Sequence, residues 1–184
     1  MTDAVLDLDL VKELIVILVA ALPIAELRVA IPVAIQSLDF TWYYAFLLAV
    51  IGNILPVPVI LLFLEAATRL LGRVALFQRW LDWLFERTRR RGRILQKYKR
   101  IGLVLFVAIP LPITGAWTGA LAAVLFGIRF GQAFFSILLG VIIAGVIVTC
   151  LTLLGWVGVV IASIVLCGLA VYWMCRFRRR QPRD

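Results

Sequence analysis

Two ionisable residues interrupt an apolar run at 21–35, ALPIAELRVAIPVAI: Glu26 and Arg28, set between Pro23 and Pro32. Charges in apolar surroundings are costly, and they persist where they face a cavity, a partner or a pathway. Two residues apart, they point to different sides of a helix but to the same side of an extended segment. An unwound tip between the prolines would therefore aim both into one site. There Arg28 would hold an anionic group, phosphate above all, through its planar fork, and Glu26 would carry a proton. The competing reading is that the two pair with each other and only pin the segment. Burial and Arg28 act on the Glu26 carboxyl in opposite senses, and the sequence leaves that balance open.

A second unusual run lies at 106–124, FVAIPLPITGAWTGALAAV, with Pro110 and Pro112 ahead of Thr114, Gly115, Trp117, Thr118 and Gly119. Small and hydroxyl residues permit close backbone approach and hydrogen bonding, although a Gly115/Gly119 GxxxG equally marks plain helix packing. Asn53, beside Gly52 and ahead of Pro56 and Pro58, marks a third break, where its amide would face a cavity or pack within a bundle. Other acids that could move protons, Asp39 and Glu65, lie at segment ends. The chain has no histidine, and its three cysteines, Cys150, Cys167 and Cys175, have no CxxC spacing. We read them as small helix residues and expect neither metal nor cofactor. Without GxSxG or paired carboxylates on one helix, no enzyme is expected either.

The elements that must position these residues follow from composition. Of 184 residues 64% are hydrophobic, only 16% are charged, and the mean hydropathy is +1.08. Soluble domains are about 45–50% apolar, so the chain reads as an integral membrane protein, a single membrane domain over 1–184 with no room for a large soluble catalytic unit. Apolar segments run over 14–38, 42–64, 101–128, 130–154 and 156–175.

Proline removes a helix hydrogen bond, so 14–38 and 101–128 each read as two arms around a broken centre. The arms 14–22 and 101–109 would be about 14 Å long, half the hydrocarbon thickness. Both segments are therefore expected to be re-entrant hairpins, with 42–64, 130–154 and 156–175 as transmembrane helices. Broken backbone at such depth must be buried in protein or line a cavity.

Charge placement agrees. The net charge of +9 is partitioned: residues 1–13 carry four acids and one base, 65–100 eleven bases and three acids, and 176–184 five bases and one acid. Basic clusters flanking apolar segments lie on the cytoplasmic side and argue against nucleic-acid binding. Making 101–128 re-entrant brings the Arg176–Arg183 tail to that side, puts Arg129 there as an anchor, and leaves the acidic N-terminus outside. No cleavable leader is expected, because the first residues are acidic.

Pro23-Ile24 recurs as Pro112-Ile113, and Ala45-Phe46 with Gly52 recurs as Ala133-Phe134 with Gly140, at offsets of 89 and 88. A hairpin and a span, repeated with opposite openings, is the plan of inverted-repeat transporters, whose substrate binds at the repeat interface. Between the halves, Leu70, Val74, Phe77, Leu81 and Leu84 recur at helical spacing, an interfacial amphipathic helix. The basic run at 87–93 would then rest on anionic lipid headgroups or serve only as a topology determinant.

The stretches LPIAELRVAIPVAI (22–35), GNILPVPVILLFL (52–64), FVAIPLPITGAWTGALAAVLFG (106–127) and GVIIAGVIVT (140–149) resemble the bacterial family of small multidrug export proteins, nearly end to end. That family is in turn similar to the DedA/VTT membrane proteins, with paired re-entrant hairpins and proton-linked handling of lipid phosphates. The resemblance implies an acidic hairpin role for Glu26 and a phosphate-binding role for Arg28. It departs in the second hairpin, where DedA proteins carry arginines and this chain has Thr114 to Gly119.

The expectation is an all-α polytopic protein of the bacterial inner membrane: two inverted hairpin-plus-span repeats and a C-terminal helix. It would transport a small amphipathic or anionic solute, proton-coupled through Glu26. The alternatives are a polyprenyl-phosphate translocase and a non-transporting scaffold that recruits lipids or partners through 87–100. So small a chain would enclose a pathway more readily as a homodimer.

Overall fold

The computed structural model describes residues 2–71, 92–110 and 114–155, with Val157, Gly158, Val160, Ser163, Ile164 and Gly168 beyond them. The amphipathic segment at 72–91, Pro112-Ile113, the 156–175 helix as a whole and the basic tail lie outside the described residues. Among those described, every regular element is an α-helix: α1 (Thr2–Ala21), α2 (Glu26–Gln36), α3 (Trp42–Ile54), α4 (Pro56–Leu71), α5 (Gly92–Ala108), α6 (Ala116–Leu125) and α7 (Phe130–Leu153).

Two helices are long and apolar enough to cross a membrane, Trp42–Ala67 (26 residues) and Phe130–Leu153 (24 residues). The first runs through the α3–α4 joint. The break expected there is a single turn residue, Leu55, because Pro56 and Pro58 fall in the first turn of α4, where a missing N–H costs nothing.

Polarity is distributed inside out. Phe63, Phe135, Val59 and Leu18 are exposed, while Glu26, Asn53, Ser136 and Thr149 are buried. Half of the buried apolar residues described are alanines. Without a hydrophobic drive between helices in lipid, close packing of small residues holds such bundles together. The chain is a helical membrane protein.

The hairpin breaks differ from expectation in extent. The first is only Leu22–Ala25, and Pro32 lies inside α2. One lost hydrogen bond does not stop a helix in a bundle, where neighbours satisfy the freed carbonyl. The second break follows Ala108 at Ile109 and Pro110 and ends at Gly115. The helical arms are also longer than nine residues, 20 in α1 and 17 in α5, because each helix continues past its apolar run into the neighbouring charged segment.

The same local geometry recurs 88 to 89 residues apart. α2 and α6 are closed by Ser37 N–H to the Val33 carbonyl and Phe126 N–H to the Ala122 carbonyl. A residue in the left-handed region follows, Asp39 (φ 58°) two positions after Ser37 and Gly127 (φ 63°) directly after Phe126. Thr41 (φ −62°, ψ 143°) and Arg129 (φ −61°, ψ 144°) then open α3 and α7. Gly52 of α3 meets the α1 backbone at Ile17, and Gly140 of α7 meets α5 at Val104 and Val107. A β-carbon at either glycine would drive the helix pair apart.

The first unit, α1–α3, and the second, α5–α7, interlock. α2 packs on α7, and α6 packs on α4, the continuation of α3. Phe46 and Val50 lie against Gly145, whereas Asn53 shares a crevice with Val141 and Ala144. α3 and α7 therefore run in opposite senses where they cross.

Candidate functional site

At the meeting of the two units lies a narrow crevice lined by Glu26, Leu27, Arg28, Asn53, Val107, Gly115, Ala116, Val141 and Ala144. It is closed to a water-sized sphere. Its walls come from distant parts of the chain: Glu26 faces Gly115, 89 residues on, and Asn53 shares the wall with Val141, 88 residues on.

Glu26 follows directly on the Leu22–Ala25 break and adopts φ 49°. An L-residue in the left-handed region bears a cost of about 1–2 kcal/mol, and such strain concentrates at functional sites. Here it does what the expected extended tip was to do. In a regular helix the side chains of residues 26 and 28 would diverge, but the turned backbone of Glu26 brings its Oε2 to 3.8 Å from Arg28 Nη2.

The carboxylate also accepts the backbone N–H groups of Ala116 and Trp117, the first residues of α6. Glu26 is 5% exposed. It is held by one guanidinium and by the positive end of a helix, the two features that stabilise a buried anion. A β-carbon on residue 115 would overlap this carboxylate. Gly115 is extended (φ 170°), a conformation open to any residue, so glycine is needed there for space.

Arg28 Nη2 donates a long 3.5 Å hydrogen bond to Thr114 Oγ1, whose own hydroxyl donates to the Ile109 carbonyl at 2.6 Å. Thr114 thus links Arg28 to the start of the second break, just past the end of α5. The Trp117 indole N–H donates to the Ala21 carbonyl at 3.1 Å. It satisfies one of the carbonyls left unpaired where α1 ends and ties the first break to α6.

Asn53 is 1% exposed, and neither its amide nitrogen nor its amide oxygen has a protein hydrogen-bond partner. Thr149 Oγ1 on α7 is likewise buried without one. Buried polar groups are nearly always paired, and each exception calls for an explanation.

Of the residues singled out in the sequence, Glu26, Arg28, Asn53 and Gly115 line the crevice, while Thr114 and Trp117 support it. Thr118 does not join them; its hydroxyl turns back to the Gly115 carbonyl at 3.4 Å. Gly119 instead accommodates Val107 of α5, so the two glycines of the GxxxG serve different ends. Asp39 sits in the turn between α2 and α3. Sequence reasoning missed the Ala116 and Trp117 amides and the Val107, Val141 and Ala144 walls, since apolar side chains and backbone carry no chemical signature.

The fold is that of a helical membrane protein with a buried carboxylate and its guanidinium partner in an interior crevice. The chain belongs to the family described as "Putative small multi-drug export protein", whose profile matches residues 26–147. The match begins at Glu26 and takes in every crevice residue. No curated protein and no solved structure shows significant similarity to the chain.

Proposed function

We propose that the chain is an exporter of a small amphipathic or anionic solute, working by alternating access around the crevice, with Glu26 as its proton carrier. The observation that carries this reading is the buried Glu26 carboxylate, paired with a partly buried Arg28, beside an Asn53 amide with no protein partner. A fold that only had to be stable would gain by replacing such groups with apolar ones.

The recurring 88-residue geometry, with α3 and α7 in opposite senses, supports two inverted repeats that rock about the crevice. In this reading the protein lies in the inner membrane, with the basic segment and tail cytoplasmic and the N-terminus outside. The basic segment would lie on anionic headgroups.

The test is transport in proteoliposomes, with and without a pH gradient, for a panel of labelled amphipathic anions and cations. The wild type moves at least one solute in response to the gradient. Glu26→Gln, shown to be folded and inserted, loses the response. Equal gradient-driven transport by both proteins would remove Glu26 from the mechanism.

Translocation of a lipid phosphate is the second reading. Arg28 favours it, its guanidinium being an apt donor to phosphate oxygens, and so does the resemblance to DedA proteins. A labelled polyprenyl phosphate belongs in the same panel.

A further inference from the structure

The crevice holds one cation, Arg28, and one anion, Glu26. Among the described residues Arg28 is the charge that acts on Glu26. α3, α6 and α7 contain no Asp, Glu, Lys or Arg. On α1, Lys12 and Glu13 lie well back from the break, with Glu13 accepting the Tyr44 hydroxyl. On α4, Glu65 lies beyond the crevice, and on α5, Lys99 binds the Phe126 carbonyl at the other end of α6. The charges of the site therefore balance within it.

The Glu26 carboxylate sits where an incoming anion would have to sit. Ala116 and Trp117 N–H, the Arg28 guanidinium and the gap left by the missing side chain of Gly115 together form an anion seat. A second anion about 4 Å from an ionised Glu26 would be opposed on the order of a thousandfold at the dielectric of a partly buried site. We propose that Glu26 is a tethered occupant of a substrate anion seat: the seat takes either the ionised Glu26 carboxylate or the anionic group of the substrate, and the exchange requires one proton on Glu26. One anion and one proton then bind together, and the charge of the crevice is the same before and after.

Asn53 identifies the chemical class of the anion. Its buried amide offers both a donor and an acceptor that no protein group uses. A carboxylate or a sulfate ester can only accept. A phosphate monoester in its monoanionic form accepts through its charged oxygens and donates through its hydroxyl, so it can satisfy both halves of the amide. The seat is accordingly assigned to phosphate monoesters, whether free or on a lipid. This inference rests on the crevice being the transport site, but it concerns binding and can fail or hold independently of transport.

The experiment is equilibrium binding of phenyl phosphate to the full chain in phosphatidylcholine nanodiscs, from about pH 5 to about pH 8, for wild type and Glu26→Gln. Titration of the probe is common to both and cancels in their ratio. The wild-type affinity should fall relative to Glu26→Gln by up to about tenfold per pH unit above the Glu26 pKa. A constant ratio overturns the proposal. Should Glu26→Gln not fold, Glu26→Gly, which suits φ 49°, takes its place with the same expectation.

Gly115→Ala fills the seat and should abolish binding at every pH; wild-type binding by this variant also overturns the proposal. At about pH 5, below the second phosphate pKa of about 6, phenyl phosphate keeps its hydroxyl; there phenyl sulfate, which has none to donate, should bind at least about tenfold more weakly than phenyl phosphate to the wild type and equally to Asn53→Leu. Equal binding of the two to the wild type overturns the assigned class. Adding phosphatidic acid to the nanodiscs identifies the source. Loss of apparent phenyl phosphate affinity means that lipid headgroups reach the seat, and no change means that the seat takes soluble esters. Transport without proton-linked binding would sink this inference alone, whereas proton-linked binding without transport would sink only the exporter reading.

Discussion

The Glu26 carboxylate fills the space that a β-carbon on residue 115 would need. Acid and glycine are thus two halves of one contact between α2 and α6, although 89 residues separate them in the chain. Gly115→Ala should lower stability by about 1–3 kcal/mol through overpacking. The cost should largely vanish in a background where Glu26 is glycine. Thermal unfolding of the two single variants and the double variant in one detergent measures the coupling. Additive effects would show that the two residues do not compete for space.

Asn53 is the site residue whose presence costs the fold most plainly. A buried amide with no protein partner carries a desolvation penalty of about 1–3 kcal/mol. Asn53→Leu, close in volume, should therefore raise the thermal midpoint while lowering transport, and Asn53→Ala should gain less because it leaves a cavity. A leucine variant that is both less stable and fully active would mean that the amide has a structural partner after all.

Much of this was legible in the sequence because the exceptional residues are rare there. Glu26, Arg28 and Asn53 stand out against an apolar background, and the prolines mark where helices break. Pro32 misled because its residue type says nothing about neighbours able to satisfy a freed carbonyl. The length of α1 misled because hydropathy ends before helicity does. What the sequence could not reveal is that a left-handed Glu26 would bring together a pair two positions apart. Nor did it mark the α6 amides as part of the site, since every residue but proline has that donor.

Arg28 separates the candidate cargoes. A cationic solute drawn to Glu26 would be repelled by Arg28, whereas an anionic one would be held by it. Arg28→Ala should therefore spare or raise export of cations and reduce transport of phosphate compounds at least tenfold, about 1.4 kcal/mol. Arg28→Lys keeps the charge but loses the fork, and should restore part of the anion transport. Loss of cation and anion transport alike in both variants, from folded protein, would assign Arg28 to holding Glu26 in place.

The paired turns offer a test of the fold that does not touch the crevice. Asp39 and Gly127, 88 residues apart, are the left-handed residues of the turns after α2 and α6. Glycine takes that conformation without the cost of about 1–2 kcal/mol that a β-carbon imposes, a cost that aspartate partly escapes through local hydrogen bonding. Set against the greater freedom glycine has in the unfolded chain, Asp39→Gly should stabilise the protein by about 0.5 kcal/mol. Asp39→Val, with a branched β-carbon, should destabilise it by more than that. Thermal unfolding of the three proteins in the same detergent gives the order Gly, Asp, Val from most to least stable. The reverse order at the two ends would mean that the Asp39 side chain, rather than its backbone angle, governs the turn.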